Sequence, residues 1–137
     1  MKEYTNEALI ALALEARNNA HCPYSGIAVG AALLTKTGEV FLGANMESAS
    51  FSPTLCAERV AFGAALVAGH RDFVRIAVVG AKKEELPGKT FPPCGVCRQV
   101  MAEFCRGDFE IILSDGKECR VLTLAELLPH GFDKEYL

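Results

Sequence analysis

Apolar residues Leu9, Leu12, Ala13, Ala16 and Ala20 recur at intervals of three and four, and Thr5 stands where an N-cap belongs. The first segment therefore predicts a helix with one face committed to burial. It has to end before Cys22-Pro23, because a residue preceding proline avoids helical geometry. Ile27 to Thr35 is apolar almost without interruption and reads as a buried strand, which turns at Lys36-Thr37-Gly38 into a second strand ending at Gly43. Ala44 to Leu55 is small and polar, with Ser48, Ser50, Ser52 and Pro53 suppressing regular structure, and loops of that length often carry function. Helical rhythm returns from about Cys56 to Ala68 and stops at Gly69; a third strand follows from Phe73 to Gly80. The charged stretch Lys82 to Lys89 has no aromatic interleaving and reads as a solvated connection. A further helix from about Cys94 to Cys105 stops at Gly107, strands follow at Phe109 to Ser114 and Cys119 to Leu122, and Asp115-Gly116 turns between them. Thr123 with Glu126 three residues on forms a capping box for a short last helix ending at Pro129.

Five strands and four helices that alternate after an opening hairpin predict a three-layer α/β/α sandwich around a mixed five-stranded sheet, with right-handed crossovers between parallel strands. Neither a linker nor a repeat interrupts the 137 residues, so residues 1–137 read as one domain. Both cysteine-bearing helix starts can then converge at one end of the sheet, where α/β proteins usually place ligands.

The densest chemistry lies in Phe91-Pro92-Pro93-Cys94-Gly95-Val96-Cys97-Arg98-Gln99. Residues three apart share a helix face, so both sulfurs can meet one ion, and the positive end of the helix dipole favours thiolate over thiol. Alone, this spacing fits a redox dithiol as well as a metal clip. The second helix decides between them: Cys56-Ala57-Glu58-Arg59 sets a third thiol at a helix start, two residues before a carboxylate. Three protein ligands, Cys56, Cys94 and Cys97, leave one position of a tetrahedral zinc open for water, which is the mark of a catalytic zinc. Glu58 can approach that water without ligating the metal, as a general acid and base. A thiol oxidoreductase would leave Cys56 and Glu58 without a task, and a structural zinc module would want a fourth ligand.

Cys56-Ala57-Glu58-Arg59 together with Pro93-Cys94-Gly95-Val96-Cys97-Arg98-Gln99 closely resembles the small cytidine deaminases whose zinc is held by three cysteines. Pro23-Tyr24-Ser25, Val29-Gly30-Ala31-Ala32, Gly43-Ala44-Asn45-Met46-Glu47 and Glu126-Leu127-Leu128-Pro129 resemble further family segments in family order, so the resemblance covers nearly the whole chain. It implies hydrolysis of cytidine and deoxycytidine to uridine and deoxyuridine in pyrimidine salvage, and the same sandwich fold. It implies that Asn45 and Glu47 hold the sugar, a reading helped by their spacing, since an amide and a carboxylate one residue apart can match neighbouring ribose hydroxyls. Main-chain groups around Ala57 bind the pyrimidine in the family. Arg59 is implied to hydrogen-bond the ligand sulfurs and offset the excess negative charge of three thiolates around a divalent ion; Arg98, beside Cys97, is similarly placed. The family often carries an aromatic residue where this chain has Ile27, so the substrate keeps an apolar wall there and loses a flat one. Phe132 lies where the family places an aromatic that reaches a neighbouring subunit's active site, and family members of this length are homotetramers. A deaminase of a modified cytosine nucleoside, such as a blasticidin-type antibiotic, is the nearest rival; the carboxylate of Glu47 favours the plain nucleoside.

Composition removes several alternatives. Half the residues are hydrophobic, yet no uninterrupted apolar run approaches the roughly 18 residues of a membrane span. The acidic N-terminal stretch lacks a hydrophobic signal region, which predicts a cytoplasmic protein. A net charge of -3 gives no basic footprint for a nucleic acid. Of the six cysteines, Cys22, Cys105 and Cys119 have no partner motif and read as small buried hydrophobes, and His21, His70 and His130 as surface or packing residues.

Overall fold

The computed structural model describes residues 3–137; Met1 and Lys2, part of the N-terminal stretch interpreted above, lie outside the described residues. In chain order the elements are α1 (Asn6–Ala16), β1 (Ile27–Thr35), β2 (Val40–Ala44), α2 (Ala57–Val67), β3 (Phe73–Lys82), α3 (Gly95–Phe104), β4 (Glu110–Ser114), β5 (Cys119–Thr123) and α4 (Leu124–Leu127). Local chemistry sets most of the boundaries. Thr5 caps α1 by accepting a hydrogen bond from the Ala8 amide, Gly69 at φ 95° closes α2, and Thr123 with Glu126 forms the capping box of α4.

The strands order as β2-β1-β3-β4-β5. β1 runs antiparallel to both β2 and β3, β3 runs parallel to β4, and β4 is antiparallel to β5, so the sheet is mixed as the sequence predicts. Side chains alternate across it. Ala32, Leu34, Ala77, Val79 and Ile112 face α1 through Leu9 and Ala13, whereas Ala31, Leu33, Ile76, Val78, Ile111 and Leu113 face α2 and α3 through Ala61, Phe62, Ala65 and Met101. The result is a three-layer sandwich. Phe62, 1% exposed, anchors the second layer with rings of Phe73, Phe109 and Phe104 around it. Burying such a ring contributes about 1.5–3 kcal/mol.

Three departures from the sequence reading have physical causes. α1 ends at Ala16 and tightens into a 3₁₀ turn, Arg17–Asn19, which sets Arg17 against the sheet. That side chain is only 7% exposed, and its guanidinium donates to the carbonyls of Ala28, Ala81 and Lys82 at 3.1, 3.1 and 3.0 Å, joining the start of β1 to the end of β3. β3 accordingly runs two residues beyond Gly80. Cys119, expected to be buried, is exposed because β5 is the sheet's edge strand, while Cys22 is buried and Cys105 half-buried.

Gly43 fixes how closely α2 approaches the sheet. A Cβ there would collide with the Ala57 carbonyl oxygen and stand 2.6 Å from the Ala61 nitrogen, both on the first turns of α2. Gly43→Ala is therefore expected to lift the helix start that carries Cys56 and Glu58, costing about 1–3 kcal/mol as overpacking. Thermal unfolding checks this, and an unchanged melting temperature would show that α2 yields without strain.

Candidate metal centre and ligand pocket

Cys56 is the N-cap of α2 and Cys94 the N-cap of α3, with Cys97 in the first turn of α3. Neither N-cap sulfur is spent on capping its helix. The three Sγ atoms instead meet, all within 4.8 Å of one another, with Cys56 to Cys94 at 3.8 Å and Cys94 to Cys97 at 3.6 Å. Zinc–sulfur bonds of about 2.3 Å at tetrahedral angles separate the sulfurs by about 3.8 Å, so this donor set fits zinc in type and spacing. Among the described residues it is the one such cluster. The neighbouring Cys97 thiol and, after it, Arg59 and Cys94 bring the Cys56 thiol down to about 5 against the effect of burial, while the closeness of Cys56 and then burial push Cys97 up. Thiols this close cannot all ionise without a cation among them, which is the electrostatic case for a metal here.

Arg59 lies beside the Cys56 sulfur. Its Nη2 donates to Cys56 Sγ at 3.6 Å and to the Thr54 carbonyl at 3.3 Å, which holds the charge beside the sulfur. Arg98 is not on a sulfur. One residue after Cys97 the helix has turned about 100°, so its guanidinium donates to the carbonyls of Pro93 (2.8 Å) and Leu127 (2.7 Å), tying the cysteine turn to α4. Glu58, 4% exposed, sits two residues into α2; burial, then the negative charge of Cys56, pushes its carboxyl up to about 7.

Cys56, Cys94, Ala57 and Glu58 line one side of a cavity of about 240 Å³ whose other walls include Ile27, Asn45 and Glu47. That volume lies just below the usual range of small-molecule sites, about 300–1,000 Å³. Ile27 and Val29 reach it from β1 and Val78 from β3, on the face that carries α2 and α3.

Asn45 and Glu47 both reach the cavity, already oriented by backbone partners. Asn45 Oδ1 accepts from the Val29 amide and Nδ2 donates to the Ile27 carbonyl, each at 2.8 Å, so the side chain pairs with the end of β1 like a short strand. One amide hydrogen and one lone pair remain for a ligand. Glu47 accepts from the amides of Tyr24 and Ser25 at 3.0 Å and from the Ser25 hydroxyl, which holds its carboxyl below the usual range and keeps it a pure acceptor. Ser25 Oγ also accepts from the Ile27 amide at 3.0 Å. One hydroxyl thus aligns both Ile27 and Glu47, a role that needs the fold to become visible.

Phe132 does not line this cavity. It is 55% exposed, stacks on Tyr136 with ring centroids 5.3 Å apart, and is pinned by Gln99 Nε2 donating to its carbonyl at 2.7 Å. Arg17 and Phe91 are further contributors to which residue patterns gave no role of their own. Arg17 fixes the strand ends below the cavity, and Phe91 lines it directly.

A family profile described as "Cytidine and deoxycytidylate deaminase zinc-binding region" matches residues 3–112. A cytidine deaminase of Halalkalibacterium halodurans is 47% identical over 130 residues, covering 94% of this chain and 95% of that protein. A cytidine deaminase of Sporosarcina psychrophila is 44% identical over 132 residues, 96% of this chain and 93% of its own. The crystal structure of cytidine deaminase from Burkholderia pseudomallei superposes with a TM-score of 0.87 at 44% identity, covering 94% of this chain and all of that one.

Proposed function

This chain belongs to the cytidine deaminase family of zinc-dependent hydrolases, and from that premise we propose that it converts cytidine and deoxycytidine to uridine and deoxyuridine with release of ammonia, in pyrimidine salvage. The observation that carries the reading is the convergence of a three-thiol cluster, a buried carboxylate and the Asn45/Glu47 pair on one cavity. Cys56, Cys94 and Cys97 would hold the metal. Zinc in that position supplies Lewis acidity, which brings the pKa of water toward neutrality.

Glu58 takes a proton from the attacking water and delivers it to the ring nitrogen N3, then takes the proton left on that same oxygen and passes it to the amine that leaves as ammonia. The water oxygen ends on C4 as the C4–N bond breaks, so cytidine and water give uridine and ammonia. A carboxyl buried in this way carries and releases protons near neutrality more readily than an exposed one, which suits a group that works in both directions. Asn45 uses its remaining amide hydrogen, and Glu47 its acceptor capacity, on the sugar hydroxyls; main-chain groups at Ala57 bind the pyrimidine edge. Arg59 offsets the negative charge that three thiolates leave around a divalent ion.

No helix among the described residues is long and apolar enough to cross a membrane. We assign the enzyme to the cytoplasm and to a homotetramer in which Phe132 of one subunit completes a neighbour's site. Its outward position, away from its own cavity, supports that reading. Following loss of cytosine absorbance across a panel of cytosine nucleosides tests the function. Turnover of cytidine and deoxycytidine with one ammonia per nucleoside is expected; a modified cytosine nucleoside turned over while both plain ones are refused would displace this substrate.

A further inference from the structure

Among the residues lining the cavity, Phe91 carries the one aromatic ring. It lies in the irregular segment before α3, where nothing about helix or strand periodicity demands a ring. Its seat is prepared by the sheet. Gly80 pairs with Val29 across β1 and β3, and Val78, on the same face two residues before it, also borders the cavity. A side chain at position 80 would occupy the next place along that face. A Cβ on Gly80 would stand 2.7 Å from Phe91 Cγ, 2.8 Å from Cδ2 and 3.1 Å from Cδ1, so the ring lies against the bare glycine. Glycine inside a strand forgoes side-chain packing, and such a position often marks the close approach of another group.

We propose that Gly80 and Phe91 form a specificity device in which the ring, resting on the glycine, is the flat wall against which the substrate's pyrimidine packs. The inference rests on the nucleoside reading of this cavity. The remaining apolar lining, such as Ile27, Val29 and Val78, is aliphatic and offers no planar face. A pyrimidine is planar, and aromatic packing adds affinity beyond simple burial. Phe91 is three residues from Cys94 and is no ligand, so its effect belongs to nucleoside binding rather than to the metal or proton transfer.

The test uses the zinc-loaded enzyme and four readouts: KM and kcat for cytidine, the Kd of uridine, and zinc content. Phe91→Leu, which keeps apolar bulk and removes the ring face, is expected to raise cytidine KM and uridine Kd together by about three- to tenfold. It should leave kcat within about twofold and zinc unchanged, and Phe91→Tyr should restore both constants. Gly80→Ala, which keeps the ring and displaces it, should move them in the direction of Phe91→Leu; if Phe91→Leu fails to fold, this variant decides by the same criteria. Constants within about twofold of wild type, or a fall in kcat or zinc in their place, would overturn the proposal, the latter by showing that the ring supports the cysteine turn. Both leave the deaminase assignment standing if wild type still consumes cytidine. Wild-type protein that turns over no cytosine nucleoside would sink that assignment, and this inference with it.

Discussion

Glu58→Gln is expected to retain its zinc and lose about 10²–10⁴-fold in kcat, the usual contribution of a positioned general acid and base. The amide has nearly the shape of the carboxyl and fits the same buried site, 4% exposed in wild type, so neither packing nor the start of α2 has cause to change. It also removes a group that burial pushes toward protonation, so stability should hold or rise slightly. The metal should be unaffected because the three sulfurs meet without the carboxylate. What is lost is the ability to take a proton from water and return it to the base. Elemental analysis, thermal unfolding and the cytidine assay separate these effects. Wild-type turnover in this variant would refute the assignment, and loss of zinc would make Glu58 part of the metal's environment.

Sequence spacing revealed the metal centre because its information is local. A thiol two residues before a carboxylate and two thiols three apart become, on helix starts, groups aimed at one point, and the rhythm of apolar residues already placed those starts. The Asn45/Glu47 pair was singled out through the family resemblance, with its spacing in support, and both residues line the cavity. What orients that pair was not legible, since Asn45 binds the end of β1 and Glu47 binds the Tyr24-Ser25 turn, contacts that span sixteen or more positions. Arg17 illustrates the limit more sharply. On the helix pattern it is one more polar position, yet it sits buried with its guanidinium against three strand-end carbonyls; only a topology that places β1 beside β3 gives it that task. Arg98 erred in the opposite direction. Adjacency to Cys97 in sequence suggested contact with sulfur, whereas the helical turn sends it to Pro93 and Leu127. Gly30, Gly43 and Gly80 have no side chain to enter a hydrophobic pattern, and in the structure the backbone of α1, the backbone of α2 and the Phe91 ring lie where a Cβ on them would stand.

Cys94→Ala should abolish zinc binding and turnover together while leaving the fold in place. Cys94 is the most exposed of the three thiols, so trimming it opens no core cavity, unlike Cys97, which is 1% exposed. Two sulfurs remain, and two ligands hold zinc far more weakly than three; the content should fall from about one ion per chain to a small fraction. The sheet and its two apolar layers do not depend on the site, so circular dichroism should be unchanged at room temperature. The melting temperature should fall, because an ion bound only by the folded state stabilises it by mass action. Chelation of the wild type should reproduce the lower melting temperature and the lost activity, and added zinc should reverse both there and not in the variant. A redox dithiol at Cys94 and Cys97 makes the opposite forecast: wild type carrying no zinc, and activity indifferent to chelators. Turnover that survives Cys94→Ala, or active protein without zinc, would end the metal mechanism. Loss of turnover with zinc retained would instead show that Cys56 and Cys97 hold the ion by themselves and that Cys94 serves the reaction in another way.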